Sequence, residues 1–161
     1  LDVEKDLIDE IENNKYLMFS VDSESYGIQI RYIIEIIKII EITKVPEQPK
    51  FVKGVINLRG SIIPVIDARL RFDKEERDYD DRTCILVIEI KEVTFGLIVD
   101  NVHEVVNIQE CDIASPPVIN SSYNNCPDGF IEGIGKVSEH TWLLIDCEKL
   151  LKSESESDKH M

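Results

Sequence analysis

Two blocks of this chain repeat each other, and that repetition restricts the fold more than any other feature. Phe51-Val52-Lys53-Gly54-Val55 returns as Phe130-Ile131-Glu132-Gly133-Ile134, and Ile66-Asp67 returns at the same offset as Ile145-Asp146. Upstream, Tyr26-Gly27-Ile28 is echoed by Phe95-Gly96-Leu97, and Ile33-Ile34-Glu35-Ile36 by Val102-His103-Glu104-Val105. The downstream blocks are offset by 79 residues and the upstream blocks by 69, so the later copy carries an insertion between them. A repeat of this kind implies a duplicated supersecondary unit whose two copies share a topology.

The block after Gly54 reads as a hairpin. Val55, Ile56 and Leu58 form one β-branched or aliphatic run, and Ile62, Ile63, Val65 and Ile66 form the other. Between them Arg59-Gly60-Ser61 makes a tight turn, for which Gly60 supplies a positive φ without steric cost. An arginine at such a tip is either solvated or engaged with an acid, because an unpaired buried guanidinium is too costly. The second copy has Lys136-Val137-Ser138-Glu139 where the first has Asn57-Leu58-Arg59-Gly60. Only one hairpin keeps the Arg-Gly tip, which suggests a use beyond folding.

The rest of the chain is consistent with many short strands. Ile and Val are abundant while aromatics are 7% of 161 residues, a composition that favours β structure. Residues 1–14 place Val3, Leu7, Ile8 and Ile11 on one helical face, an acidic leader helix. Residues 15–21 alternate, with Tyr16 and Met18 on one side and Leu17, Phe19 and Val21 on the other; 26–30 is the returning strand. Residues 33–42 read as a strand with one helical turn at the start, broken by Pro46 and Pro49. Residues 73–81 are a charged loop between the copies. Residues 115–129, rich in Pro, Asn and Ser, hold the insertion. A closing helix starts near Glu148, and 152–161 is a polar, disordered tail. This pattern predicts a mainly β protein of two small barrels packed side by side, the first spanning 15–81 and the second 82–151. Each half is near the lower limit for an independent core, so apolar contact between the halves is expected.

Charge narrows the partners. A net charge of -14 disfavours nucleic acid, whose phosphates need basic residues, and equally an anionic membrane surface. No apolar run approaches the length of a membrane span, and the acidic leader is not a signal peptide. Cys84, Cys111, Cys126 and Cys147 are far apart and form no metal-binding couple, so reduced thiols in a cytoplasmic protein are expected. No catalytic constellation appears. Gly135-Lys136 lacks the first Gly and the Ser or Thr of a phosphate loop. His103 and His140 lack the second histidine of a zinc motif. Asp67 and Asp146, equivalent in the two copies, read as caps or strand ends. A non-enzyme without metal or cofactor is expected.

The repeated blocks, with Gly54-Val55-Ile56-Asn57-Leu58-Arg59-Gly60, Pro64-Val65-Ile66-Asp67, Phe95-Gly96-Leu97-Ile98-Val99-Asp100 and Ile145-Asp146-Cys147-Glu148-Lys149-Leu150-Leu151, resemble the CheW-like domain family of bacterial chemotaxis coupling proteins over about residues 15–151. The resemblance implies two five-stranded SH3-like β-barrels. It also implies an adaptor that links the CheA histidine kinase, through that kinase's own CheW-like regulatory domain, to the cytoplasmic tips of chemoreceptors. Family receptor contacts carried to this chain are Ile30, Ile33, Glu35, Arg59, Cys84, Val102 and Val105, in a groove between the barrels. Cys84 stands where the family often has Val. Family kinase contacts carried over are Ile42, Lys53 and Gly96; Gly96 has a second reading, as backbone in a tight strand pair. The resemblance implies a cytoplasmic protein at membrane-bound receptor arrays, and a monomer outside them is expected. Two other readings are a regulatory domain cut from a larger kinase and a CheV-type protein with a receiver domain. The acidic leader and polar tail are expected to be the natural ends of a stand-alone protein.

Overall fold

A computed structural model describes residues 14–115 and 130–151. The expected leader helix, the insertion after 115 and the tail lie outside these residues. Eleven strands, two short α-helices and two 3-10 turns make up the described fold, which is mainly β as expected. The strands are β1 Lys15–Val21, β2 Glu24–Gln29, β3 Ile33–Lys38, β4 Val52–Leu58, β5 Ser61–Asp67, β6 Cys84–Ile90, β7 Val93–Val99, β8 Asn101–Asn107, β9 Ile113–Ala114, β10 Ile131–Val137 and β11 His140–Ile145; the helices are α1 Ala68–Arg71 and α2 Cys147–Leu150.

Two sheets result. One has the order β3-β6-β7-β5-β4, the other β8-β1-β2-β11-β10-β9. The first is built from one continuous stretch of chain. The second joins the N-terminal hairpin to strands from the other end. The division between sheets therefore departs from the expected division at 81/82: β6 and β7 pair with strands of the first copy, and β1 and β2 with strands of the second. The connections explain this. A three-residue 3-10 turn, Ile30–Tyr32, carries the chain out of one sheet, and the single residue Asp100 between β7 and β8 carries it back. The repeat marks what was duplicated; strand pairing decides what forms a barrel. We refer to the contiguous barrel (β3–β7) and the split barrel (β1, β2 and β8–β11).

Within each hairpin the residues face alternate sides, as period two demands. Leu17, Phe19 and Val21 of β1, Tyr26 and Ile28 of β2, Leu86 and Ile88 of β6, and Phe95, Leu97 and Val99 of β7 all join one buried cluster shared by both sheets. The opposite faces line the barrel interiors: Ile85, Val87 and Ile98 with Ile56, Ile63 and Val65 in one, Tyr16 and Met18 with Ile108 and Leu144 in the other. The expected facing of β1 is thus observed, as is apolar contact between the halves. These four strands are buried on both faces along most of their length, which is why β1, β6 and β7 read as mostly apolar runs.

Each barrel closes where the chain returns to its own edge. In the contiguous barrel Thr43 N donates to Val55 O at 2.9 Å and Val55 N to Thr43 O at 2.8 Å, joining the chain beyond β3 to β4. In the split barrel β9 pairs with β10 through Ala114 and Ile134, at the corresponding place in the repeat. Gly54 sits beneath the first closure with φ +148, and a Cβ there would lie 2.1 Å from Thr43 O. Strand ends are capped symmetrically: Asp67 Oδ1 accepts from Arg69 N at 2.8 Å and Asp146 Oδ1 from Glu148 N at 3.0 Å. The four-residue α1 was not foreseen, because it is too short to show helical periodicity.

Two buried arginines of α1 join distant segments. Arg69 donates to both oxygens of Asp100, Nε at 3.0 and 3.1 Å and Nη2 at 2.8 Å, and to Glu75 O at 3.0 Å. Burial pushes the Asp100 carboxyl up, but hydrogen bonds from Arg69 and the Asp22 amide, with the Arg69 charge, hold it below the usual carboxylate range. Arg71 donates to Leu150 O and Lys149 O, both at 2.9 Å, and lies over the rings of Phe51 and Phe130.

Two measurements follow from this architecture. Gly54→Ala should cost more than about 2 kcal/mol in urea unfolding, since neither the backbone carbonyl nor the φ can accommodate a Cβ; a loss under about 0.5 kcal/mol would show that closure is dispensable. A fragment of residues 14–81 should give no cooperative thermal transition, and adding a fragment of 82–161 should restore one. A cooperative transition for the first fragment alone would contradict the shared-strand topology.

Candidate functional site

The hairpin tip of β4–β5 presents Arg59 toward β3, the opposite edge of the same sheet. Leu58 pairs with Ser61, leaving Arg59 and Gly60 as a two-residue loop with φ +50 and +91, as a type I′ turn requires. Asn57 Oδ1 accepts from Gly60 N at 2.9 Å and supports the loop. The guanidinium then forks onto Glu35: Nη1 donates to Oε1 at 2.7 Å, and Nη2 to Oε1 at 2.8 Å and to Oε2 at 2.6 Å. Of the two sequence readings for this arginine, engagement with an acid is the one observed. The pair is open to solvent, with side-chain exposures of 67% for Arg59 and 27% for Glu35. It is a surface feature in both accessibility and energy, and a pair of this kind contributes about 0–1 kcal/mol.

The outward residues of β3 beside the pair are aliphatic. Ile34 and Ile36 are exposed, and on β5 Ile62, one position from the turn, is 62% exposed. Ile34 and Ile36 flank Glu35 along β3, with Ile36 opposite Leu86, on the side of the shared cluster, and Glu35 opposite Val87, on the side of the barrel interior. Bulges in β3 and β8 fall at equivalent places, between Ile33 and Glu35 and opposite Leu17/Phe19. Ile33, Cys84 and Val102 are partly buried and pack against the cluster that joins the barrels, so the structure brings these three to its rim. Val105 lies opposite Leu17 on β8 and is 46% exposed. Ile30 begins the 3-10 turn that crosses between sheets. Burial pushes the Cys84 thiol up, and the Lys38 ammonium across the strand pair pulls the other way.

The residues carried over as kinase contacts lie apart from this rim. Ile42 packs against the interior of the contiguous barrel, next to the closure at Thr43. Lys53 on β4 forms an ion pair with Glu76 and lies 5.9 Å from the Tyr79 ring. Its hydrogen bond and then its charge hold the Glu76 carboxyl below the usual range. Tyr79 in turn donates to Asp67 Oδ2 at 2.8 Å, so the charged loop 73–81 is strapped to the barrel. Gly96 is buried in β7, where a Cβ would lie 2.7 Å from Ile85 Cγ2 and 2.8 Å from Val65 Cγ1. Of its two readings, the tight strand pair is the one with a geometric basis, between β5 and β6.

Sequence reasoning missed Glu35 as the partner of Arg59 in any definite sense, because the two stand on strands whose adjacency only barrel closure creates. It also passed over Arg69 and Arg71. Their signal was the Arg-x-Arg immediately after an aspartate cap, too polar a stretch to be assigned to a core.

Comparison with known proteins agrees with this geometry. A family model described as the CheW-like domain matches residues 15–155. The chain is 33% identical to the chemotaxis protein CheW of Klebsiella aerogenes over 148 residues, 92% of this chain and 87% of that protein. It is 34% identical to the chemotaxis protein CheW of Helicobacter pylori, over 87% of this chain and 82% of that one. Among solved structures, the scaffolding protein TtCheW from Thermoanaerobacter tengcongensis is similar at a TM-score of 0.75 and 40% identity, covering 83% of this chain and 89% of that chain.

If the Arg59–Glu35 fork is a surface feature and not a support, Arg59→Ala should lower the thermal midpoint by no more than a few degrees. That is the shift expected for about 1 kcal/mol in a protein of this size. A fall of more than about 10 °C would make the arginine structural.

Proposed function

The chain belongs to the CheW-like domain family, and on that footing we propose that it is a non-catalytic chemotaxis adaptor coupling chemoreceptor cytoplasmic tips to the CheA kinase. The observation that carries this reading is the bidentate Arg59–Glu35 fork on an exposed hairpin tip, set among exposed isoleucines at the edge of a two-barrel fold. A helix presenting an apolar stripe can bury Ile34, Ile36 and the rim residues Ile33, Val102 and Val105, while the charged pair fixes its register. Cys84 and Ile30 complete that rim as further candidate contacts. The kinase contacts are assigned to the face carrying Lys53, with Ile42 and Gly96 shaping the closure and strand pair behind it. Lys53 and Arg59 are engaged by different acids, Glu76 and Glu35, which suits a protein that holds two partners at once. Among the described residues no helix is long and apolar enough to cross a membrane. The adaptor is assigned to the cytoplasmic side of receptor arrays by its partners.

The test is a pair of calorimetric titrations, one with a CheA regulatory domain and one with a receptor-tip fragment. Arg59→Ala and Glu35→Ala should each weaken receptor binding at least about tenfold, the scale of a lost charge-assisted contact, and leave kinase binding unchanged. Lys53→Ala should do the reverse. Parallel losses in both titrations, or no loss in either, would remove the two-face assignment.

A further inference from the structure

Three lysines gather where the contiguous barrel closes, on a chain whose net charge is -14. Lys53 stands on β4 immediately before Gly54. Lys44 follows Thr43, whose two hydrogen bonds with Val55 bring the connection after β3 against that strand. Lys50 lies in the turn that Val52 N closes by donating to Pro49 O at 3.0 Å. Lys44 and Lys50 are exposed. That connection also carries exposed Glu41 and Glu47, but the carboxylate paired with Lys53 is that of Glu76, from the loop 73–81. The Lys53 hydrogen bond and charge lower the Glu76 carboxyl, burial opposes them, and the charges of Lys44 and Lys50 lower it further. All three lysines therefore act at one point. At the equivalent position of the split barrel Glu132 replaces Lys53, so the lysine at this closure belongs to one barrel alone.

Glu76 lies on the outside of its pair, with its side chain 56% exposed against 23% for Lys53. The loop that carries it is fastened on both sides by bonds that do not involve its carboxylate. Before it, Arg69 Nη1 donates to Glu75 O at 3.0 Å and Lys74 Nζ to Glu24 Oε1 at 2.7 Å. After it, Tyr79 OH donates to Asp67 Oδ2 at 2.8 Å and Asp80 N to Thr83 Oγ1 at 2.9 Å. The loop keeps its path when the Glu76 side chain swings away. Lys53 keeps its place too, because the Tyr79 ring lies 5.9 Å from its ammonium. A solvated ion pair is weak, so one carboxylate exchanges for another at little cost.

We propose that Lys44, Lys50 and Lys53 form a docking surface for an acidic segment of the kinase regulatory domain, and that Glu76 is an internal stand-in for the partner's carboxylate, displaced from Lys53 on binding. This rests on the assignment of Lys53 to the kinase face; it adds the chemistry of the partner and a contact that restrains binding. An acidic segment meets like charge over most of this chain, and the three lysines give it a place to approach. Lys44 and Lys50 stay exposed while Glu76 is in place, so the surface attracts the segment before the exchange occurs. A partner with no carboxylate to offer leaves Lys53 with Glu76, which makes the stand-in a filter as well as a restraint.

The test is calorimetric titration of the full chain with the CheA regulatory domain, with circular dichroism confirming the fold of each variant. Glu76→Gln should tighten binding about two- to fivefold, the worth of a solvated ion pair that no longer competes. Lys44→Ala and Lys50→Ala should each weaken binding by a similar factor. Glu75→Gln removes the same charge one residue away and should not reproduce the gain. In a Lys53→Ala background the gain from Glu76→Gln should vanish, because the two residues act as a pair. An equal gain from Glu75→Gln, or one that persists without Lys53, would reduce the effect to net charge and overturn the stand-in. Binding that Glu76→Gln leaves unchanged or weakens would overturn it too, with the adaptor reading intact. No response to either Lys44→Ala or Lys50→Ala would overturn the docking surface. Binding by Glu76→Gln but not by the unaltered chain would support a stand-in that closes the site. Failure of both to bind would remove the adaptor reading and this inference together.

Discussion

Among the described residues four strands, β1, β2, β6 and β7, are buried on both faces along most of their length, and the rest of the structure is arranged to keep them so. The hairpins β1–β2 and β6–β7 turn one side into their own barrel and the other toward each other. Among the described residues the shared cluster holds 18 buried side chains against six and four in the barrel interiors. At about 25 cal/mol per Å2 of apolar surface removed from water, most of the favourable burial lies in the shared cluster, outside either barrel. Separated, the split barrel would expose Phe19 and Tyr26 and the contiguous barrel Phe95 and Leu97, a large apolar patch on each. The two barrels are therefore one folding unit despite their separate sheets.

That dependence places demands on the crossings. The chain moves from sheet to sheet through only three residues in one direction and one in the other, so both crossings must be held. Asp100, at the second crossing, is gripped by Arg69, and its amide donates to Ser20 O at 3.1 Å on β1. Arg71 occupies the middle of the arrangement, between the equivalent phenylalanines Phe51 and Phe130, and ties α1 to the end of α2. A buried guanidinium is acceptable there because its donors meet carbonyl oxygens and its faces meet rings. Its counterpart in the second copy is Leu150, so the duplication has been broken at the centre, where two arginines would repel.

Symmetry is broken again at the surface, and there the breaks coincide with the candidate sites. Arg59 has Ser138 as its counterpart, and Lys53 has Glu132. Core positions of the two copies keep their character because both barrels must pack the same way. Surface positions are released from that requirement, so a duplicated scaffold can present two different faces from one topology. The Arg59 fork closes over one barrel mouth. The other barrel instead places Trp142 beside the rings of both His103 and His140.

Much of this was written in the residues themselves. The duplicated blocks announced a twofold architecture, the alternation in β1 sorted Leu17, Phe19 and Val21 from Tyr16 and Met18, and the Arg-Gly turn marked a tip that only one copy keeps. Asp67 and Asp146 could be read as caps because their partners are two residues away. All of these are local, with periods or turn requirements that a dozen residues suffice to express. What only the tertiary structure decided was pairing at long range: that β1 and β2 join strands 80 or more residues away, and that Glu35 meets Arg59 across a closed barrel. Such contacts depend on which edge remains open after every local hairpin has formed. No window of sequence contains both partners, so no periodicity within it can record them.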